Sequence, residues 1–359
     1  MARSHELDAT GVIPRFSVVI PTYNRRRSLE RVLNGLKLQE YPHEQLEVIV
    51  VNDGSEDGTS NMVRQANLPF AVGLLEEGNL GPAAARNLGV EHAHGPFVLF
   101  LDDDVIPTPQ LLIEHAAAHG NRLDRVVIGT MLGSGRERAP WLRWESVKLA
   151  EQYAAMERGV FKPTPWQFYT GNASVRREHV LNAGGFDARF RRAEDIELGF
   201  RLERLGLEFV FHPQAAGLHL MRRSWAAWLD AARQYGRNDV TFGKVDERVV
   251  EETMYRHPLT LRLIEWGISH KRLRSLIPPL ARAAASASYG LGSSDAAMAV
   301  CGAIFNLNYW LGVEEKVGAA EANRLLRAVL DGAISTDATA KAEAQGDDLI
   351  RIRLGDRSR

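Results

Sequence analysis

Cysteine is nearly absent. Cys301 is the only one in 359 residues, which excludes an intramolecular disulfide and any cysteine-built zinc site. A dominant charge is missing too: Lys and Arg total 44 against 45 Asp and Glu, a formal net charge of -1, so no overall field draws the chain to nucleic acid. The opening MARSHELDATGVIPRF lacks a basic segment followed by an apolar one, so no secretory signal is expected. Ala296–Val313 is an uncharged run of 18 residues, at the lower limit for a membrane span. It carries Asn306 and Asn308 and is rich in small alanines, so a buried helix is expected there. What is present is ordinary globular composition, 45% hydrophobic and 25% charged, at a length that admits two domains.

The first half alternates short β-branched runs with helical patterns. Phe16–Ile20 reads as a buried strand that stops at Pro21, and Ser28–Gln39 as a helix with Leu29, Val32, Leu33 and Leu36 on one face and Ser28 as its N-cap. Val48–Val51 is the next strand, ending in Asn52-Asp53-Gly54-Ser55. A helix over 58–65, a weak strand over 70–75, a helix opened by Gly81-Pro82 and a strand Phe97–Leu101 follow. Strands alternating with helices imply a mostly parallel, doubly wound α/β sheet, which places ligands at the carboxyl ends of its strands. Further on, a strand is expected over 126–132, a loop over 133–144, and helices over 145–159 and 194–205. After Met221 the pattern is mainly helical, with helices over 225–235, 259–270, 277–287, 296–312 and 319–330. The tail past Ser335 is polar, with a short edge strand at 349–354. These patterns divide the chain into an α/β domain over 12–221, a helical region over 222–334 and a tail over 335–359.

Asp102-Asp103-Asp104 follows the strand 97–101 directly. Three adjacent carboxylates repel one another and the repulsion is relieved by a cation; oxygen-only donors suit Mg²⁺ or Mn²⁺. The alternative is a solvated acidic turn before the helix that begins near Pro109. Glu194-Asp195 opens a helix, where paired carboxylates either satisfy the helix dipole or serve as a general base.

SVVIPTYNR, VIVVNDGSEDGT, NLGPAAARNLGV, FVLFLDDD and GGFDARFRRAEDIELGFRL, in that order, resemble glycosyltransferase family 2. The resemblance runs from Phe16 to His219 and leaves the C-terminal third uncovered. It implies the GT-A fold and transfer of a sugar from a nucleotide sugar to an acceptor hydroxyl. By that resemblance the donor's base and phosphates meet Pro21, Thr22, Tyr23, Asp53 and Arg86. A carboxylate at Asp53 suits an imino hydrogen, because it is an acceptor-only partner. Asp102 faces the ribose, Asp103 stands behind it or contacts the ribose as a donor-binding residue, and Asp104 binds Mn²⁺ or Mg²⁺ together with His219; Val105 occupies a position where many members carry a further Asp. Gly171–Ser174 resembles the loop beneath the donor sugar, with Asn172 its polar contact. Asp195 matches the base of inverting members, with Glu194 orienting it or touching the acceptor. His212 reads as structural. Trp141, Trp144 and Trp166 are candidates either for stacking on the acceptor or for the core.

The function so implied is an inverting, metal-dependent transfer by single displacement, with UDP the favoured carrier. A retaining transferase and a non-catalytic nucleotide-sugar-binding module remain as alternatives. A sugar-1-phosphate nucleotidyltransferase is disfavoured, because Pro-Thr-Tyr-Asn-Arg stands where a Gly-rich phosphate loop is needed. The expected partners are a nucleotide sugar and a sugar, lipid-linked or small-molecule acceptor, with peripheral membrane contact and homo-oligomerisation left open. The expected location is the cytoplasm or the inner face of its membrane. Arginine outnumbers lysine 37 to 7, which fits a GC-rich bacterial genome.

Overall fold

A computed structural model describes residues 14–135, 137–190, 192–245, 264–267, 269–270 and 274–335. The tail over 336–359, with the strand expected at 349–354, lies outside the described residues, as do 1–13 and 259–263 at the start of the helix expected over 259–270.

Two compact units divide the chain: among the described residues, 14–134 with 153–221, and 135–152 with 222 onward. The first is built on one eight-stranded sheet. In chain order its elements are β1 (Phe16–Thr22), α1 (Arg26–Leu36), β2 (Leu46–Asn52), α2 (Thr59–Gln65), β3 (Ala71–Glu76), α3 (Pro82–His92), β4 (Phe97–Leu101), β5 (Val105–Pro107) and α4 (Leu111–His119). Then come β6 (Arg125–Gly133), the last residues of α5 (Pro140–Glu157), whose part up to Gln152 belongs to the second unit, β7 (Asn172–Arg176), α6 (Arg177–Asn182), α7 (Glu194–Arg204) and β8 (Glu208–His219). The strand order is β3-β2-β1-β4-β7-β6-β8-β5. The first four strands are parallel, β7 runs against both β4 and β6, β8 is parallel to β6, and β5 runs against β8. The mostly parallel α/β sheet expected from the sequence is therefore present, with an antiparallel element spliced into it. β1, β2 and β4 are buried on both faces, as near-continuous Val, Ile, Leu and Phe runs require.

Several boundaries differ from expectation for identifiable reasons. Helix α1 starts at Arg26, and Ser28 is buried in its first turn instead of capping it. The cap comes from elsewhere: Asp57 Oδ2 accepts the Arg26 amide at 2.8 Å, while Asp57 Oδ1 accepts the Thr59 amide and hydroxyl at the start of α2. Gly81 takes φ 97°, a conformation that a side chain resists, and Pro82 then occupies the first position of α3, where its missing N–H costs nothing. Strand β8 was not anticipated, because Pro213 sits inside it. The pairing steps from Ile128 with Phe211 to Thr130 with Ala216, so the proline falls in a bulge that asks no ladder bond of it. Its carbonyl accepts from the Thr130 hydroxyl at 3.0 Å.

Segment 135–152 groups with the second unit, which a division at 221 alone does not anticipate. Trp141 and Trp144 are helical residues of α5, not loop residues, and Trp144 packs with Trp228 and Phe305. The second unit adds α8 (Trp225–Val245), α9 (Ile277–Gly290), α10 (Ser294–Val317) and α11 (Ala319–Ser335). Helix α10 contains the uncharged run. By length and composition it could cross a membrane, and 72% of its most apolar window is buried within the protein. Helices α8 and α10 approach closely where both lack side chains: Gly236 lies against the Tyr309 carbonyl and Gly312 against the Arg233 carbonyl. Two buried polar residues of α10 bond across to α8, Tyr309 donating to Asp239 at 2.8 Å and Asn308 accepting from Arg233 at 3.0 Å.

Candidate active site

The acidic residues singled out in the sequence converge at the carboxyl edge of the sheet, within the first unit. Asp102 leaves β4 and donates its amide to the Gly171 carbonyl at 3.2 Å, and the chain turns at once so that the Val105 amide meets the Asp102 carbonyl at 3.1 Å. Strand β5 then pairs Val105 with His219, and the Leu220 amide donates to the Asp104 carbonyl at 2.7 Å. This ladder sets two residues 115 positions apart side by side, with His219 Nε2 3.5 Å from Asp104 Oδ1. Asp103 accepts from the Thr22 hydroxyl at 2.7 Å.

The second acidic pair reaches the same place through Arg86. Helix α7 begins at Glu194, after Ala193 in a left-handed conformation (φ 59°) that alanine rarely adopts. Asp195 accepts from the Ile196 amide at 2.9 Å and from the Thr170 amide at 3.4 Å. The guanidinium of Arg86, 5% exposed, donates from Nη1 to Glu194 at 2.6 Å and from Nη2 to Asp102 at 2.9 Å. Its neighbour Asn87 donates to the Phe186 carbonyl and accepts the Phe186 amide, at 2.9 and 2.7 Å, holding the segment ahead of α7 to α3. Gly171 closes the space between the two acid groups: a Cβ there would stand 3.0 Å from Asp102 Oδ2 and 2.5 Å from the Met131 sulfur.

Burial and charge set the acidities. Asp195 is pushed up to about 7 by burial and by the charge of Glu194, against the pull of Arg86 and two backbone amides. Burial likewise raises Asp103 to about 7, aided by Asp104 and Asp102 and opposed by Arg25 and Thr22. For Asp104 burial is outweighed by His219 and Arg25, and its carboxyl is held below the ordinary value. Burial alone would lower Arg86, but Asp102, Glu194 and Asp195 outweigh it and hold the guanidinium charged.

Other expected contacts are placed differently. Both oxygens of Asp53 are engaged, Oδ1 by the Leu80 amide at 2.6 Å and Oδ2 by the Gly81 amide at 2.9 Å, so this carboxylate fixes the entry to α3. Each oxygen keeps one acceptor direction. Pro21 and Thr22 end β1, and the Tyr23 ring is 46% exposed beside them. Asn172 points into the core. It is 1% exposed, donates to the Thr130 and Ala215 carbonyls at 3.1 and 2.8 Å, and accepts from His115 at 2.9 Å. An open polar face toward a sugar is therefore not what the structure gives this side chain. His212 bonds Glu114 at 2.7 Å, as a structural histidine does. Trp166 is a core residue packed edge-on against Phe200, and Trp141 donates to the Arg223 carbonyl.

Arg25 was not picked out by sequence. Its Nη1 donates to Asp103 Oδ1 at 3.1 Å and to Asp104 Oδ2 at 2.5 Å. One signal was available: Arg25-Arg26-Arg27 crowds three cations at the positive end of a helix dipole, a local cost that calls for compensating carboxylates. Even with Arg25 and Arg86 counted, five carboxyl groups (Asp102, Asp103, Asp104, Glu194, Asp195) face two guanidinium groups, a surplus of three negative charges when all ionise.

That surplus fits a divalent cation. Asp104 and His219 supply one oxygen and one nitrogen donor, and among the described residues no group of three or more such side chains is arranged around an ion. Two protein donors suit an ion of the Mg²⁺ or Mn²⁺ kind, which fills its remaining positions with phosphate oxygens and water.

The sheet order and the acidic carboxyl edge define a GT-A protein, and a solved structure shares the fold. The mannosyltransferase PcManGT from Pyrobaculum calidifontis, in complex with GDP-Man and Mn²⁺, superposes with a TM-score of 0.56 at 18% identity, over 99% of this chain and 89% of that one. Residues 17–185 match Glycosyl transferase family 2. Glycosyltransferase AglE of Haloferax volcanii is 30% identical over 59% of this chain and 69% of its own length. Validoxylamine A glucosyltransferase of Streptomyces hygroscopicus subsp. jinggangensis is 30% identical over 73% of this chain and 66% of its own. The chain belongs to glycosyl transferase family 2. It spans 61 to 66% of the length of the first three curated relatives it matches.

Proposed function

We propose that this chain transfers a sugar from a nucleoside diphosphate donor, UDP in the first instance, to an acceptor hydroxyl with inversion at the anomeric carbon. The observation that carries the reading is the Arg86 bridge. It ties the donor-side Asp102 to Glu194 and so holds Asp195 beside the loop that abuts the triplet. Asp195 is the general base: its raised pKa lets it hold the acceptor's proton while remaining substantially ionised near neutral pH. The hydroxyl oxygen attacks the anomeric carbon, the bond to the diphosphate breaks with its electron pair leaving on phosphate oxygen, and the proton passes to Asp195. Glu194, neutralised by Arg86, keeps Asp195 oriented. Bound to Asp104 and His219, Mn²⁺ or Mg²⁺ would supply charge neutralisation for the departing diphosphate. Tyr23 offers its exposed ring to the base, and Asp53 its remaining acceptor directions to the imino hydrogen. Asn172 acts on the donor only through the strand end that it pins.

The test has two arms. Calorimetric titration of UDP, GDP, dTDP and CDP with and without Mn²⁺ should show selective, metal-dependent binding. Asp195→Asn should keep that binding and lose transfer. Retention of transfer at the normal rate would remove Asp195 as base, and an NMR spectrum showing a retained anomer would assign the retaining mechanism instead. A donor bound but never turned over would leave a binding module.

A further inference from the structure

We propose that Arg25 is the resident counter-cation of the acidic triplet and competes with the divalent ion for it, so that metal and nucleoside diphosphate bind this site cooperatively. The proposal rests on the metal and nucleotide reading above.

The geometry supplies the competition. One guanidinium nitrogen bridges Asp103 and Asp104, and the second oxygen of Asp104 faces His219, so each oxygen of the expected metal carboxylate already has a cationic or polar partner. A divalent ion on Asp104 and His219 would stand within a few ångströms of this guanidinium, and like charges at that range repel.

The loop is built so that only the side chain moves. On one side the Asn24 amide donates to Ser55 Oγ at 2.8 Å and Asn24 Oδ1 accepts the Glu56 amide at 2.9 Å. On the other side the Arg26 amide is held by Asp57, and the Arg25 carbonyl accepts the Ser28 and Leu29 amides at 2.9 and 3.0 Å. The backbone is pinned around Arg25, while its side chain is 47% exposed and has a path to solvent. A guanidinium displaced from two carboxylates needs another planar anion within reach, and a diphosphate offers one that it can grip with two parallel bonds. The ion takes the carboxylates as the diphosphate takes Arg25. Each ligand thereby removes the cost that the other would meet alone.

The probes are Mn²⁺, followed by the EPR signal of the free ion, and UDP, followed by calorimetry, on the full chain and on Arg25→Gln and Arg25→Lys. Allosteric couplings typically amount to about five- to 150-fold, and a value in that range is expected between Mn²⁺ and UDP in the unaltered protein. Arg25→Gln should bind Mn²⁺ alone tighter, by roughly tenfold, and lose most of the coupling. Arg25→Lys keeps the charge without the fork and should fall between. Unchanged or weaker Mn²⁺ binding by Arg25→Gln overturns the role of Arg25, and if UDP binding stays metal-dependent in that variant, only that role falls. Absence of any metal effect on UDP or GDP in the unaltered protein overturns the metal reading itself, and this proposal with it. A thermal unfolding curve for Arg25→Gln close to that of the unaltered protein excludes misfolding as the cause of either result.

Discussion

Replacing Arg86 by glutamine tests the site most sharply, because the residue is buried and touches both acidic groups. Breaking a buried ion pair by removing one partner costs about 3–5 kcal/mol, since it strands the other charge. The two arms of the bridge do not weigh equally. Glu194 is buried alongside Arg86, whereas the Asp102 side chain is 37% exposed and its pairing is worth a surface value of about 0.2–1 kcal/mol. One term works the other way: Arg86 Nε is buried with no hydrogen-bond partner, and removing it relieves a penalty of about 1 kcal/mol. The expected net loss is therefore about 2–5 kcal/mol. At the per-kcal shift of a domain of 150–250 residues, the melting temperature should fall by about 4–20 °C.

Urea unfolding followed by circular dichroism measures the loss, and a cycle with Glu194→Gln locates it. Arg86→Gln with Glu194→Gln should cost less than the sum of the singles, by about 0.5–3 kcal/mol, because the stranded charge is gone in the double variant. A loss under about 1 kcal/mol, or strict additivity, would refute the bridge as the element that holds the two acid groups together. The same variant should move the pH profile. The charge of Arg86 lowers the pKa of Asp195, so without it the acid limb of transfer shifts to higher pH.

Transfer by the unaltered protein should rise as pH increases through about 7, as Asp195 ionises; a flat profile from pH 5.5 to 8.5 would count against it as base. That raised value carries a folding cost of the opposite sign, because the folded state keeps a proton that the unfolded chain releases, so its contribution falls from the ordinary value of 3.8 up to about 7. His115 and His119 act the other way: burial depresses them to about 4 and about 3, so below pH 6.5 the unfolded chain takes up protons that the folded one refuses. Stability in urea should drop between pH 6.5 and 4, and a His115→Gln, His119→Gln variant should flatten that slope. Asp53→Ala should cost about 1.5–3 kcal/mol for each of two lost charge-assisted bonds, with faster hydrogen exchange at the Leu80 and Gly81 amides; unchanged exchange there would refute the clamp.

The strands around the site were legible because both-face burial writes itself as unbroken apolar runs: Phe97–Leu101 is the same in sequence and structure. Motif order likewise placed Asp102, Asp104, Asp195 and His219 together, although 115 residues separate the last from Asp104. What local pattern could not carry was which way a polar side chain points. Arg86 meets Glu194 across 108 positions and Arg25 meets Asp104 across 79, and no periodicity records either contact. Strand β8 was hidden by its own proline, which sits in a bulge that asks no ladder N–H of it and whose carbonyl accepts from the Thr130 hydroxyl.

Asn172 shows that some of this was recoverable from spacing. His115 and His119 lie four apart on α4, hence on one helix face, and Asn172 and Ser174 lie two apart on β7, hence on one sheet face. The donors then assign themselves. Asn172 gives both its N–H groups to carbonyls, so its oxygen accepts from His115 Nε2. That leaves His115 Nδ1 to accept from the Ser174 hydroxyl at 2.8 Å, and the Ser174 oxygen to accept from His119 Nε2 at 2.8 Å. Such a chain requires a neutral His115, because its Nδ1 must accept, and it is met by a neutral His119 carrying its proton on Nε2, which agrees with the direction in which burial moves both. The same two spacings, four on a helix and two on a strand, would have argued that Asn172 faces α4 instead of a sugar. A motif shared with a family identifies the strand end, and the neighbouring helix decides what that strand end presents.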